Sequence, residues 1–121
     1  MAQTIFERYG GFSFVRKIVS AFYDRVIDSP DLQGYFANVE MPRLIDHQTK
    51  FVAQMMQGPA SFTDEQLRRV HQPLAIGPAE FQEITELLCE TLEDFDFDPA
   101  DIDFVRAQVL RREPFIVSRH G

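Results

Sequence analysis

Tryptophan is absent from this sequence, and cysteine occurs once, at Cys89. A single thiol cannot form a disulfide within the chain, which fits a reducing compartment. Basic residues are in deficit, with 12 Lys+Arg against 19 Asp+Glu and a formal net charge of −7. That deficit argues against nucleic acid or an anionic membrane as the main partner, because both require a basic face. No apolar run approaches the roughly 20 residues needed to cross a bilayer. The opening Met1-Ala2-Gln3-Thr4-Ile5-Phe6-Glu7-Arg8 lacks the basic start and apolar run of a signal peptide. A soluble, cytoplasmic protein is expected. No segment alternates with period two for long enough to make a strand, and there is no internal repeat, low-complexity tract or dividing linker.

What the chain does have is apolar bulk. Apolar residues make up 45% of its 121 residues, and twelve of them are Phe. The length suits one domain, residues 1–121, with one core. So much Phe implies either a thick core or the lining of an apolar pocket.

The apolar spacing is helical nearly throughout. Gly10-Gly11 closes a short first helix. Val15, Ile18, Val19, Phe22 and Val26 then share one face at steps of three and four, up to Asp28-Ser29-Pro30. A short stretch from Asp31 to Glu40 holds the aromatic pair Tyr35-Phe36. Pro42 suits the first turn of the next helix, which is expected to run to Gly58-Pro59. Ser61-Phe62-Thr63 leads into another, with Thr63 as N-cap and Gln66 as its capping-box partner, ending near Leu74. Phe81, Ile84, Leu88, Leu92 and Phe95 mark a long helix after Gly77-Pro78. Pro99 to Val117 reads as the last, with Ile102, Val105 and Val109 inward. Five or six helices around a Phe-rich core, an all-α fold, is the expectation.

Three polar residues break the apolar faces. Gln48 falls inside the stripe Leu44, Phe51, Val52, Met55, with His47 on its edge. Tyr23 lies four after Val19 and three before Val26. His71 lies four after Leu67 on the inward side of its short helix. A buried amide without a partner costs roughly 1–3 kcal/mol, so something must meet Gln48. Singly, each of these residues reads most simply as a satisfied core side chain. Together they describe an apolar pocket around one polar centre. No carboxylate joins them, and a hydrolytic metal site needs several His or acidic ligands.

In order along the chain stand Tyr9-Gly10-Gly11, Phe22-Tyr23-Asp24-Arg25-Val26, Tyr35-Phe36, Met41-Pro42-Arg43-Leu44, His47-Gln48, Phe51, Gly58-Pro59 and Val70-His71-Gln72. With these pieces and their spacing, the sequence resembles the truncated haemoglobins, the two-over-two helical globins, and their group I in particular. The resemblance implies a helical sandwich around a haem pocket and non-covalent haem b, whose porphyrin supplies four of the iron ligands. It makes His71 the proximal iron ligand through Nε2, with the other ring nitrogen donating to a backbone carbonyl. Phe36 would pack flat on the porphyrin. Phe51, Val52, Phe62, Leu67, Ile76 and Phe81 would contact the haem. Tyr23 and Gln48 would be the distal hydrogen-bonding pair, slowing release of a gas that gains negative charge on binding. Leu44 stands where ordinary globins have a distal histidine.

His47 departs from the Lys or Arg common in relatives. It has three readings: a partner for a haem propionate, a sixth iron ligand, or a solvated helix-edge residue. Arg68, and less so Arg69, are propionate candidates whose plainer reading is a solvated face. Gln57 replaces a usual Gly before Gly58, Phe62 replaces a usual Tyr, and Thr63-Asp64 lacks a following Gly. Apart from the tail residue His120, no late histidine suggests covalent haem attachment, and no Cys-x-x-Cys-His motif is present. The acidic stretch Glu93 to Asp103 reads as a solvated turn rather than a calcium loop, and Cys89 as a quiet core thiol.

The implied function is binding of O2, NO and CO for storage or delivery, for nitric-oxide dioxygenation with a reductase, or for sensing with a signalling partner. Two other classes stand beside it. One is a haem-free globin-like interaction or sensor module, with Tyr23, Gln48 and His71 in a buried hydrogen-bond network. The other is a metal hydrolase.

Overall fold

The computed structural model describes residues 3–59 and 62–117. These contain α-helices, short 3-10 turns and loops, and no strand is present among them. The chain divides into two compact units, Met1–Ser61 and Phe62–Gly121.

The first unit holds α1 (Ile5–Arg8), α2 (Gly11–Ile27), a 3-10 turn (Gln33–Phe36) and α3 (Met41–Met55). A capping box starts α1. Thr4 Oγ1 accepts from Glu7 N at 3.1 Å, and Glu7 Oε1 accepts from Thr4 N at 3.2 Å. Gly10, at φ +104°, takes the left-handed turn between α1 and α2, where a side chain would be strained. On α2 the predicted face is the packed one: Val15, Ile18, Val19, Phe22 and Val26 are all buried. It packs against α3.

α3 ends at Met55, not at Gly58. The stop is a Schellman motif. Gln57 takes the left-handed conformation at φ 68°, its N–H bonds Gln54 O at 3.0 Å, and the Gly58 N–H bonds Ala53 O at 2.7 Å. A Cβ on Gly58 would lie 2.8 Å from Ala53 O and 2.7 Å from the Phe6 ring, so this close approach requires glycine.

The second unit holds α4 (Asp64–His71), a 3-10 turn (Gln72–Leu74), α5 (Pro78–Asp94), α6 (Pro99–Arg111) and α7 (Glu113–Ile116). The predicted capping box starts α4, with Gln66 N to Thr63 Oγ1 at 3.1 Å and Thr63 N to Gln66 Oε1 at 2.8 Å. α5 packs against α6, and α4 against α7. Leu88, Leu92, Ile102, Val105 and Val109 form the core of this unit with Phe81.

The expected last helix, Pro99 to Val117, is two helices. Pro114 offers no N–H and its ring would clash with the carbonyl four residues back, so α6 stops and α7 begins beyond Arg112. The acidic stretch is the α5–α6 turn. Asp96 takes φ 62°, the Phe97 N–H returns to Leu92 O at 3.1 Å, and Phe97 is buried beneath it. Asp101 is buried too, against expectation.

Three threonines occupy core positions that an apolar count passes over. Thr49, Thr85 and Thr91 are buried, and their hydroxyls donate to carbonyls four residues back, Ile45 O (2.7 Å), Phe81 O (2.9 Å) and Leu87 O (2.8 Å). The hydroxyl is satisfied within its own helix, so the methyl group is free to pack.

Candidate functional site

Tyr23 is carried inward by α2, between the wholly buried Val19 and Val26, and is 6% exposed. Its ring meets Phe22 edge-on at 4.9 Å and 64°, and Phe36 at 5.7 Å and 73°. The 3-10 turn thus brings Phe36, itself half-buried, to Tyr23. Burial alone pushes the Tyr23 hydroxyl far above the usual tyrosine range, with no charge or hydrogen bond offsetting it. At neutral pH it is a protonated donor, and no protein acceptor among the described residues claims it.

On α3 the packed face differs from the expected stripe. Thr49, Val52, Ala53 and Met55 are buried, whereas Leu44, Gln48 and Phe51 are half-buried. At 100° per residue Leu44, Gln48, Phe51 and the buried Met55 fall on one line of the helix, set round from the Thr49–Ala53 side. That line is amphipathic and incompletely covered. His47, beside it, is exposed.

His71 ends α4 and is half-buried. Its Nδ1 lies 2.8 Å from Leu67 O. A carbonyl oxygen can only accept, so Nδ1 carries the proton and Nε2 presents a lone pair. Burial lowers the His71 pKa, opposed by the Leu67 bond, which keeps the ring neutral at physiological pH. Leu67, Ile76 and Phe81 are buried in the same unit, and Phe62 is half-buried. Arg68 is exposed, 3.6 Å from Glu65, with its guanidinium 5.2 Å from the Phe115 ring centre. Arg69 is exposed. His120 lies outside the described residues. Cys89 is buried, and burial first, then nearby carboxylates, raise its pKa against the pull of Arg106.

This donor set can be tested against possible metals. Among the described residues no three His, Cys, Asp or Glu side chains gather to hold an ion, so the several-ligand site of a hydrolase is not assembled. A lone neutral His with a free Nε2 and a backbone-bonded Nδ1 suits an iron whose other ligands come from a porphyrin.

The comparisons decide the family. Residues 4–114 match the bacterial-like globin family. The chain belongs to that family. It is similar to a group 1 truncated haemoglobin of Tetrahymena pyriformis, 27% identical over 101 residues, covering 84% of each chain. A second, from Mycolicibacterium paratuberculosis, is 32% identical over 89 residues, covering 74% of this chain and 65% of the relative. Among solved structures, a 2/2 haemoglobin of Synechococcus sp., with covalently attached haem and in the cyanomet state, superposes with a TM-score of 0.88. It has 25% identity over 97% of this chain and 100% of that one. The fold is therefore the all-α, two-over-two truncated globin fold, and the protein is a haem globin of the gas-binding class. No helix among the described residues is long and apolar enough to cross a membrane.

The residue that sequence reasoning missed is Phe115. Its only signal is Pro114, which breaks the helical reading just before it.

Proposed function

We propose that residues 1–121 act as one cytoplasmic globin domain that binds haem b non-covalently and holds O2 and related diatomic gases on it. When bound, haem supplies the iron on which such gases coordinate. His71 Nε2 is the protein ligand to that iron, and Leu67 O fixes the tautomer that frees it. The protonated Tyr23 hydroxyl would offer a hydrogen bond to a gas held there. The amide of Gln48, on the uncovered line of α3, is the second donor. Phe36, edge-on against the buried Tyr23, helps keep water from the Tyr23 hydroxyl, so its hydrogen bond would act at low dielectric.

The observation that carries this reading is the His71 Nδ1–Leu67 O bond. It leaves one imidazole nitrogen available.

The test is the absorption spectrum of the purified protein, ferric and then dithionite-reduced without O2. A Soret band that His71→Ala weakens or shifts supports the assignment. No Soret band after adding hemin refutes the haem reading and promotes the interaction module. A five-coordinate, high-spin ferrous spectrum keeps His47 off the iron, in line with its exposure, and leaves it a propionate or solvent partner. Sharp low-spin bands lost in His47→Ala make it the sixth ligand. Nitrate formation from NO and O2 with an added reductase separates nitric-oxide dioxygenation from simple gas holding.

A further inference from the structure

The helix that carries His71 has little of its own to hold it in place. α4 has eight residues, short of the roughly 12–15 that sustain an isolated helix. Asp64, Glu65, Gln66, Arg68 and Arg69 are exposed, and Leu67 is its anchor in the core. Among the elements of its own unit, the one that packs on it most is α7.

One side-chain contact marks the packing. The Arg68 guanidinium stands over the Phe115 ring at 5.2 Å, a cation–π contact one helical turn before His71. Arg112, at the α6–α7 junction, donates to Gln108 O at 2.8 Å and to Gln108 Oε1 at 3.3 Å, which holds it at the end of α6. Burial and then Arg111 lower its pKa, while attraction to Asp64, the first residue of α4, opposes them. The Arg68–Phe115 contact thus ties α4 to α7. Ile116 and Val117 are buried immediately after Phe115, which fixes α7 itself. The break at Pro114 is what makes this possible, because α7 packs on α4 as a turn separate from α6.

We infer that α7 is a brace for α4, and that Phe115 is a positioning residue that sets where His71 presents its free nitrogen. The inference rests on the haem reading above and adds to it a determinant that makes no contact with the iron.

The experiment uses the full-length, haem-loaded protein. The wild-type Soret band is recorded first, and its absence overturns the haem reading alone, leaving the brace to be judged by hydrogen exchange. Phe115→Ala, Phe115→Tyr and Val105→Ala are then compared. The last opens a cavity on α6, away from α4 and α7, as a control for general loosening. Phe115→Ala is expected to speed hemin transfer to apomyoglobin at least tenfold. It should shift the iron–histidine stretching band of the reduced protein, and raise amide exchange in α4 while α5 stays protected. Phe115→Tyr keeps the ring and should restore all three to the wild-type values. Unchanged hemin transfer, stretching band and α4 exchange in Phe115→Ala overturn the brace. So does a Val105→Ala protein that shifts the stretching band as far as Phe115→Ala does.

Discussion

Tyr23→Phe separates a side chain that holds the fold from one that holds a ligand. The ring is kept, and with it the edge-on contacts to Phe22 at 4.9 Å and Phe36 at 5.7 Å. Only the hydroxyl goes. That hydroxyl belongs to a residue 6% exposed, and burial raises its pKa with no compensating hydrogen bond. Its loss therefore removes no protein–protein bond, and the haem-free protein should keep its stability to within about 0.5 kcal/mol, the range of substitutions that break no specific interaction. A donor aimed at a held gas predicts the opposite for binding. A hydrogen bond to a charged acceptor contributes about 1.5–3 kcal/mol. At about 1.4 kcal/mol per factor of ten, O2 should leave about 10- to 150-fold faster.

The assays are stopped-flow O2 dissociation from the haem-loaded protein and urea unfolding of the haem-free one. CO, which takes up less charge on binding, should show a smaller change in the same variant. An O2 off-rate within twofold of wild type refutes the donor role. A loss of about 2 kcal/mol or more in the haem-free protein refutes the reasoning differently, since it would mean the hydroxyl serves the fold.

Gln57→Gly should stabilise the protein by up to about 1 kcal/mol, because Gln57 sits at φ 68°, where a side chain costs roughly 1–2 kcal/mol and the added chain entropy of glycine returns part of the gain. A lower urea midpoint would show that the Gln57 side chain has a bond worth more than the strain. Gly58→Ala should cost about 1–3 kcal/mol, since its Cβ would stand 2.8 Å from Ala53 O, a backbone atom that cannot swing aside; an unchanged melting temperature would mean that the α3 stop rearranges freely. Alkaline pH should destabilise the haem-free protein. Burial raises the folded pKa of Cys89 from 9.0 and of Tyr23 from 10.0, so the unfolded chain loses these protons first. The stability both contribute is complete below pH 9 and falls as pH rises through those values. Melting temperatures between pH 8 and 11 check this, and the double variant Cys89→Ser, Tyr23→Phe should flatten the decline.

The helices were legible because each is written redundantly. α2 has five apolar residues at steps of three and four, and all five are buried. Pro42, Pro78 and Pro99 each stand in a helix's first turn, as their missing N–H favours. The errors share one cause, reliance on apolar spacing where backbone chemistry decides. Pro114 obeys the same rule as the other prolines, yet inside an apolar pattern it passes as an interior residue. On α3 the expected stripe is right in part: Val52 and Met55 are buried, Leu44 and Phe51 are half-buried, and Thr49 and Ala53 extend the packed side. Thr49 is polar only until its hydroxyl is satisfied by Ile45 O.

On α3, Leu44, Gln48 and Phe51 are half-buried, and Gln48 is the polar residue among them. Gln48, Tyr23 and His71 are conspicuous because each violates the pattern of a helix that otherwise folds by burial. Of the three, His71 has a bond that spacing could not supply, since only coordinates reveal which ring nitrogen meets Leu67 O. The sequence can place a histidine on a face. Which nitrogen is left over depends on the carbonyl one turn back, and that depends on α4 holding its helical form to the last residue. The shortest and most exposed of the helices longer than one turn therefore sets the most exacting geometry. Its capping box and Leu67 start and anchor it, and the contact of Arg68 with Phe115 adds the α6–α7 corner that the helical pattern concealed.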